Sequence, residues 1–444
     1  MLRLGCGSGF STDRLEPAID LAAEGRLDYL VFETIGERTM AFGHRDRRLD
    51  PQRGYNPQLA ARMRGVLEYC WRNGTCIVTN MGVANVAAAG EVVVSVARQL
   101  GLHGLRVALV EGDDVTHLMT PATPLFDHHD LPIRDVGREV VGANVYLGID
   151  AILPALAEDA DVVITGRVAD PSLFLAPLVH HYGWRTDDWQ RLGQGTLIGH
   201  LMECGMQVTG GYYADPGCKD VPRLADCGYP IAEVGADGDA AIGKLDSAGG
   251  MVTPRTVKEQ LLYEVHDPAR YLTPDVTADF SKVRVSETGK DRVQVTGASG
   301  TERPQTLKVT VGFDGGFLGE AGVSYAGINA TARARLAADI LRERLGRHSG
   351  FTDAMRIDLI GLNSLHATAR PDGDAASADV RVRVALRSLQ REHIETMLWE
   401  VEALLCCGPA GGGGFRGQIS PSVITHSALI DRATVAPTVR MLVA

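Results

Sequence analysis

Residues 160–178, "ADVVITGRVADPSLFLAPL", decide the fold. The run "VVIT" is short, apolar and β-branched, and it stops at glycine, arginine and an acid. Pro171 then opens a second apolar stretch, residues 172–181, with helical spacing. A strand apolar on both faces, polar residues at its carboxyl end and then a helix make one step of a buried parallel sheet. The step recurs in "LRLGCGSG" from Leu2, "RLDYLVFETIGE" from Arg26, "GTCIVTNMG" from Gly74 and "LRVALVEGDD" from Leu105. Residues 85–100 and 145–157 carry the helical spacing between strands. These patterns predict an α/β fold, a doubly wound, mostly parallel sheet, over residues 1–237.

From about residue 238 the pattern changes. Thr253 and Pro254 form an N-cap and first-turn signal before "RTVKEQLL". The runs "SKVRVSE", "DRVQVTGA" and "TLKVTVGF" alternate as antiparallel strands with one solvated face. Strand 307–313, helix 332–345, strands 355–362 and 379–386, helix 391–405 and strand 422–430 follow. That order predicts an α+β domain with ferredoxin-like (βαββαβ) elements over residues 238–444.

The chain has 444 residues, 45% of them hydrophobic and 22% charged, the profile of a globular protein large enough for two domains. A net charge of -11 excludes nucleic acid and anionic membrane as general partners. No apolar run approaches the roughly 18 residues of a membrane span. The start enters a strand directly, without a signal peptide, so the expected location is cytoplasmic. Eight cysteines form no CxxC pair and no zinc spacing, which suits reduced thiols.

Several phrases together carry a resemblance. They include "GCGSG" at Gly5, "DYLVFETIGERTM" at Asp28, "EGDD" at Glu111, the opening stretch and "GHLMECGMQVTGG" at Gly199. "TVKEQLLYEVHDPARYLTPDV" at Thr256, "NSLH" at Asn363 and "GPAGGGG" at Gly408 extend it over nearly the whole chain. The chain resembles the acyclic terpene utilisation (AtuA-like) family. The resemblance implies a bacterial catabolic context, close to degradation of terpenoid or branched acids through acyl-CoA intermediates. It brings no catalytic residues with it. One departure is "MGVANV" from Met81, where family members often read "GGVNP".

In an open parallel sheet the ligand lies beyond the carboxyl ends of the strands, and those ends supply the candidates. "GCGSG" is either an anion-receiving loop, with Ser8 on a ligand oxygen, or a turn that needs glycine for positive φ. Glu33 follows the second strand as a substrate-binding candidate. Asn80 follows the third, to orient substrate or donate to an oxyanion, or as a turn residue. In "EGDD", Asp113 is expected inward-facing as a general acid or base and Asp114 as a helix cap; with Glu33 or Asp170 the acids are also an alternative Mg²⁺ set. Arg167 is placed to clamp a carboxylate or phosphate, against a purely structural pair with Asp170. Asp170 reads as a base or as the cap of the next helix. His366, in "NSLH", is the histidine that best suits catalysis. Gly411, Gly412 and Arg416 read as a mobile flap over an anionic ligand, or as a connector.

The reading that results is a catabolic enzyme using non-redox acid–base chemistry (hydration, lysis, isomerisation or hydrolysis). Its substrate is a branched or terpenoid carboxylic acid or the acyl-CoA thioester, with coenzyme A as part of the substrate and no separate cofactor. A homodimer is expected. Two alternatives stand beside it: a non-catalytic acyl-CoA-binding or carboxylase-associated subunit, and an NAD(P)-dependent oxidoreductase, whose glycine fingerprint is missing.

Overall fold

The computed structural model describes residues 1–348, 355–365 and 377–444. It divides into two compact units, Met1–Gly312 with Thr425–Ala444, and Phe313–Ile424. The first unit is built on a 10-stranded sheet. Its strands in chain order are β1 (Leu2–Gly9), β2 (Tyr29–Glu33), β3 (Cys76–Thr79), β4 (Arg106–Glu111) and β5 (Val162–Thr165), then β6 (Pro230–Val234), β7 (Ala240–Lys244), β8 (Arg284–Gly289), β9 (Arg292–Thr296) and β10 (Thr438–Val443). Across the sheet the order is β8-β9-β7-β6-β1-β2-β3-β5-β4-β10. β1 to β5 are mutually parallel, and the strands on either side of them are antiparallel. The boundary expected after residue 237 falls between β6 and β7, which pair with each other in this sheet; the contact-based division comes at Gly312.

The apolar strand runs are continuous because helices cover both faces. Helix α2 (Glu37–Leu49) follows β2; on one face, α1 (Glu16–Glu24), α3 (Leu59–Asn73) and α4 (Val86–Gln99) pack against Leu30, Phe32, Ile77, Leu109 and Ile164. The alternate residues Val31, Val78, Ala108 and Val163 are equally buried. On the other face, α5 (Ile149–Ala157), α6 (Ser172–Tyr182) and α7 (Trp189–Glu203) pack on one another and on the strands. The chain climbs from β1 to β3, passes over to β4 and returns to β5. Reversing that direction moves the connecting helix to the opposite face, because crossovers keep one hand. The loops after β3 and β5 therefore part to opposite sides, and a crevice lies beyond the carboxyl ends of β1, β2 and β5.

The second unit holds strands Met355–Ile360 and Asp379–Ser388, with strand Thr306–Ala326 from Phe313 onward and strand Gly413–Asp431 up to Ile424. In the order Met355–Ile360, Asp379–Ser388, Thr306–Ala326 and Gly413–Asp431 they are successive neighbours, the last reached after helix Arg391–Cys407. With helix Ala330–Leu345 after the first strand, this is the ferredoxin-like order, the first strand lying between the third and the fourth. Its core joins Val323, Leu341, Val382, Val384, Ile394 and Met397. Two of its strands are longer than expected. Thr306–Ala326 continues beyond the expected end at residue 313, through Gly315, Gly316, Gly319 and Gly322. Gly413–Asp431 takes up half of the four-glycine run, so residues 408–412 are the connection from helix to strand. No described helix is long and apolar enough to cross a membrane.

The glycines of "GCGSG" serve neither of the uses expected of them. β1 continues to Gly9, and none of the three has positive φ. They admit close neighbours instead: a Cβ on Gly5 would meet Leu27 at 2.4 Å, on Gly7 Phe32 at 2.4 Å, and on Gly9 the backbone carbon of Cys204 at 2.3 Å. Gly9→Ala must therefore push the end of α7 away from β1. We expect a loss of about 1–3 kcal/mol, the usual range for overpacking, read as a lower urea midpoint with an unchanged slope.

Candidate functional site

The crevice holds a cavity of about 740 Å³ lined entirely by the first unit. Arg167, from the β5–α6 loop, lies at its wall and is 1% exposed. Its Nε donates to Val168 O at 2.7 Å and Nη1 to Ile35 O at 2.8 Å; Nη2 donates to Val168 O and to the Asp170 carboxylate. Four of its five N–H groups are thus donated within the protein. The guanidinium also stacks over the Tyr146 ring at 4.4 Å. The fork expected to clamp an anion is occupied, and Asp170 is its counter-ion. Asp170 does not cap α6, whose N-cap, Pro171, has no side-chain bond.

Glu33 stands at the end of β2. Its Oε1 accepts from Ile35 N at 2.6 Å and Asn80 Nδ2 at 3.0 Å. Asn80 Oδ1 in turn accepts from Thr34 N at 2.9 Å, and Ser8 Oγ donates to Glu33 O at 2.8 Å. Ser8 and Asn80 are buried and outside the cavity lining. Their bonds set the Glu33 loop in place rather than reach a ligand. Burial and the charge of Asp170 hold the Glu33 carboxyl well above the usual carboxylate range, against the pull of Arg167 and its two donors.

Asp113 faces inward, as the sequence suggested; Asp114 accepts from Thr116 N at 3.1 Å but is not the cap of the Thr116–Leu118 turn, whose N-cap is Val115 without a side-chain capping bond. Asp113, however, does not line the cavity. Its Oδ2 accepts from Arg167 N and Asn144 Nδ2, both at 2.8 Å, and Asn144 Oδ1 is bonded to His44 Nε2 at 2.6 Å. A Cβ on Gly166 would lie 2.4 Å from that oxygen, so the glycine lets the loop close onto the acid. Asp113 therefore sets the backbone of Arg167.

Gly411, Gly412 and Arg416 belong to the second unit. Gly411 has φ +73°, and Arg416 is exposed within the strand, its Nη1 bonded to Phe415 O at 2.8 Å. His366 lies outside the described residues.

The reading by strand ends missed three cavity residues that matter. Glu203 sits at the end of α7, a helix buried along most of its length. Its Oε1 is 3.1 Å from His200 Nδ1, and its Oε2 is buried without a partner. Burial, then the charges of Asp170 and Glu264, push its carboxyl well up. Glu37 accepts from Tyr146 Oη at 2.9 Å and Lys308 Nζ at 3.1 Å. Burial alone would raise it, but Lys308 and these bonds bring it down to about 2. Tyr146, the third, lies between Arg167 and Lys308, whose Nζ is 4.9 Å from the ring centre. The signal for Glu203 was present in "LGQGTLIGHLMECG": a lone acid at the end of a helix that, beyond Arg191 in its first turn, carries no other Asp, Glu, Lys or Arg.

In all, the cavity is lined by the carboxyl groups of Asp13, Glu33, Glu37, Asp170, Glu203 and Glu264 and by the guanidinium groups of Arg38 and Arg167. Among the described residues, no three His, Cys, Asp or Glu side chains converge as a set that could hold a metal ion. The family model of the acyclic terpene utilisation family protein AtuA matches residues 2–441. The chain belongs to the AtuA family. Comparisons with curated proteins and with solved structures returned no match. The AtuA phrases recognised in the sequence place Glu33, Glu37, Arg167, Asp170, Glu203 and Cys204 on one cavity wall.

Asp113 gives a pH test of its buried position. Burial raises its carboxyl to about 6 from 3.8. The folded state then binds the proton more tightly than the unfolded chain, so this group's contribution falls as pH rises from about 4 to about 6. The stability difference between wild type and Asp113→Asn should shift against wild type by about 2 kcal/mol over that interval, out of a full change of about 3 kcal/mol at 1.36 kcal/mol per pKa unit. Urea unfolding of both proteins across the interval measures it; a constant difference would contradict the placement.

Proposed function

We propose that this AtuA-family chain is a non-redox acid–base enzyme acting on a branched or terpenoid acyl thioester. The crowding of Glu33, Asp170 and Glu203 around one committed guanidinium carries this reading. Carboxyl groups that share a buried site cannot all ionise. With Asp170 as the counter-ion of Arg167, Glu33 and Glu203 retain protons near neutral pH. A carboxylate and carboxylic acids side by side are what proton removal at one atom and delivery at another require. In a dehydration, a carboxylate takes the proton from carbon while the hydroxyl leaves as water with a proton from the acid. Hydration is the reverse, and isomerisation returns the proton to a different carbon.

The charge of the cavity selects between free acid and thioester. With Glu33 and Glu203 protonated, the four carboxylates of Asp13, Glu37, Asp170 and Glu264 still outnumber the two guanidinium groups and repel a free carboxylate. A thioester is uncharged at its reacting carbonyl, and a protonated Glu33 or Glu203 can donate to that oxygen. Phe10, Ile35, Met206 and Tyr212 supply apolar wall for a branched chain, and the cavity size is ordinary for a small-molecule site. Coenzyme A then enters as part of the substrate. A cytoplasmic, homodimeric catabolic enzyme completes the proposal.

Solvent deuterium exchange tests this whatever the product turns out to be. The protein is incubated in D₂O with a panel of branched acyl-CoA thioesters, and mass spectrometry reads deuterium incorporation and gain or loss of water. We expect exchange with at least one thioester, reduced at least about 100-fold in Glu33→Gln and Asp170→Asn. Tight binding without exchange by any thioester would favour the acyl-CoA-binding subunit instead.

A further inference from the structure

His200 and Glu203, one turn apart on α7, make a hydrogen-bonded pair whose proton inventory the geometry constrains. His200 Nε2 is 3.2 Å from the carbonyl of Leu261, and Nδ1 is 3.1 Å from Glu203 Oε1. A carbonyl only accepts, so Nε2 carries a hydrogen. The ring is 1% exposed and packs against Tyr271 and Phe280, with centroids 5.3 and 5.8 Å away. Neither ring offers a charge to stabilise an imidazolium. In the neutral ring with hydrogen on Nε2, Nδ1 is an acceptor. The hydrogen between Nδ1 and Oε1 must then belong to Glu203.

The rest of the surroundings agrees. Glu203 Oε2 is shut in without a partner, a position costly for a charged oxygen. Facing the pair are Asp170 from the β5–α6 loop, Glu264 from beyond helix Pro254–Leu262, and Arg167, already bonded to Asp170. Cys204 and Tyr271, also nearby, stay neutral because burial pushes both up. Gln260 Nε2 donates to His200 O at 3.0 Å and fixes the helix turn that carries the ring. Burial takes His200 itself down to about 4.

We propose that Glu203 is the proton donor of the cavity, a neutral carboxylic acid held in place by the neutral imidazole of His200. On this account Glu203 is the catalytic residue and His200 a positioning residue. Delivery releases the hydrogen from His200 Nδ1, breaks the Glu203 O–H bond, forms a bond from that hydrogen to the substrate atom and leaves a carboxylate. The carboxylate then faces the lone pair on Nδ1, a repulsion relieved when a proton returns from substrate or water. Proton donation to substrate rests on the acid–base reading above; the neutral pair rests on the hydrogen-bond geometry together with the burial of the ring and of Glu203 Oε2.

The two parts separate experimentally. Infrared difference spectra of wild type against Glu203→Gln at neutral pH should show loss of a protonated carboxyl band, and that band should shift in His200→Gln. Nitrogen NMR of histidine-labelled wild type should show His200 as the Nε2–H tautomer, without titration between about pH 5 and 8, where an ordinary histidine changes charge. An imidazolium signal at neutral pH, or no carboxyl band lost, would overturn the neutral pair. In the deuterium exchange assay, Glu203→Gln should lose at least about 100-fold. A wild-type rate in that variant, with exchange lost in Glu33→Gln, would overturn donation by Glu203 and leave the acid–base reading standing. The carboxyl band present with no exchange by wild type would overturn both donation and that reading.

Discussion

The site depends on the burial of one guanidinium. Arg167 ties the β2 loop, through Ile35 O, to its own loop after β5, through Val168 O and Asp170. The two loops leave strands on either side of β3, so the arginine bridges the crevice where connections part to opposite faces of the sheet. Arg167 keeps its charge under all ordinary conditions, and a buried charge requires partners. Asp170, the two carbonyls and the Tyr146 ring supply them. Its backbone is set from below by Asp113. The same arginine cannot also be an open anion clamp, and that moves the weight of the chemistry onto the carboxyl groups around it.

Those carboxyl groups outnumber the cations, and their environments differ. Lys308 and Tyr146 keep Glu37 ionised. Arg167 neutralises Asp170. Glu33 and Glu203 have no cation bonded to them, and burial raises both carboxyls well above the usual carboxylate range. Groups of one chemical type thus differ in proton affinity by what lies against them, which is what the proposed proton transfer requires.

Much of this was legible in the sequence, for physical reasons. Apolar runs ended by polar residues identified the parallel strands, and the rule for strand ends brought Glu33, Arg167 and Asp170 to one cavity. The rule states where a residue lies on the chain but not which way its side chain turns. Ser8, Asn80 and Asp113 stand at equally good strand ends, yet they turn inward and bond the loops. Glycine misled in β1, where it admits close packing against Leu27, Phe32 and Cys204 instead of shaping a turn or an anion loop. Glu203 escaped because it sits on a helix rather than a strand end. A charged residue in a helix buried nearly all round is itself a signal, since such a group needs a reason to be there.

The most direct test of the account is a crystal structure with an unreactive analogue of a branched acyl-CoA thioester, a methylene group set between sulfur and carbonyl. The account predicts the acyl carbonyl in the first unit's cavity, within hydrogen-bond distance of the Glu33 or Glu203 carboxyl, and Arg167 still bonded to Asp170. An acyl group held elsewhere, or an Arg167 that releases Asp170 to grip the ligand, would contradict it.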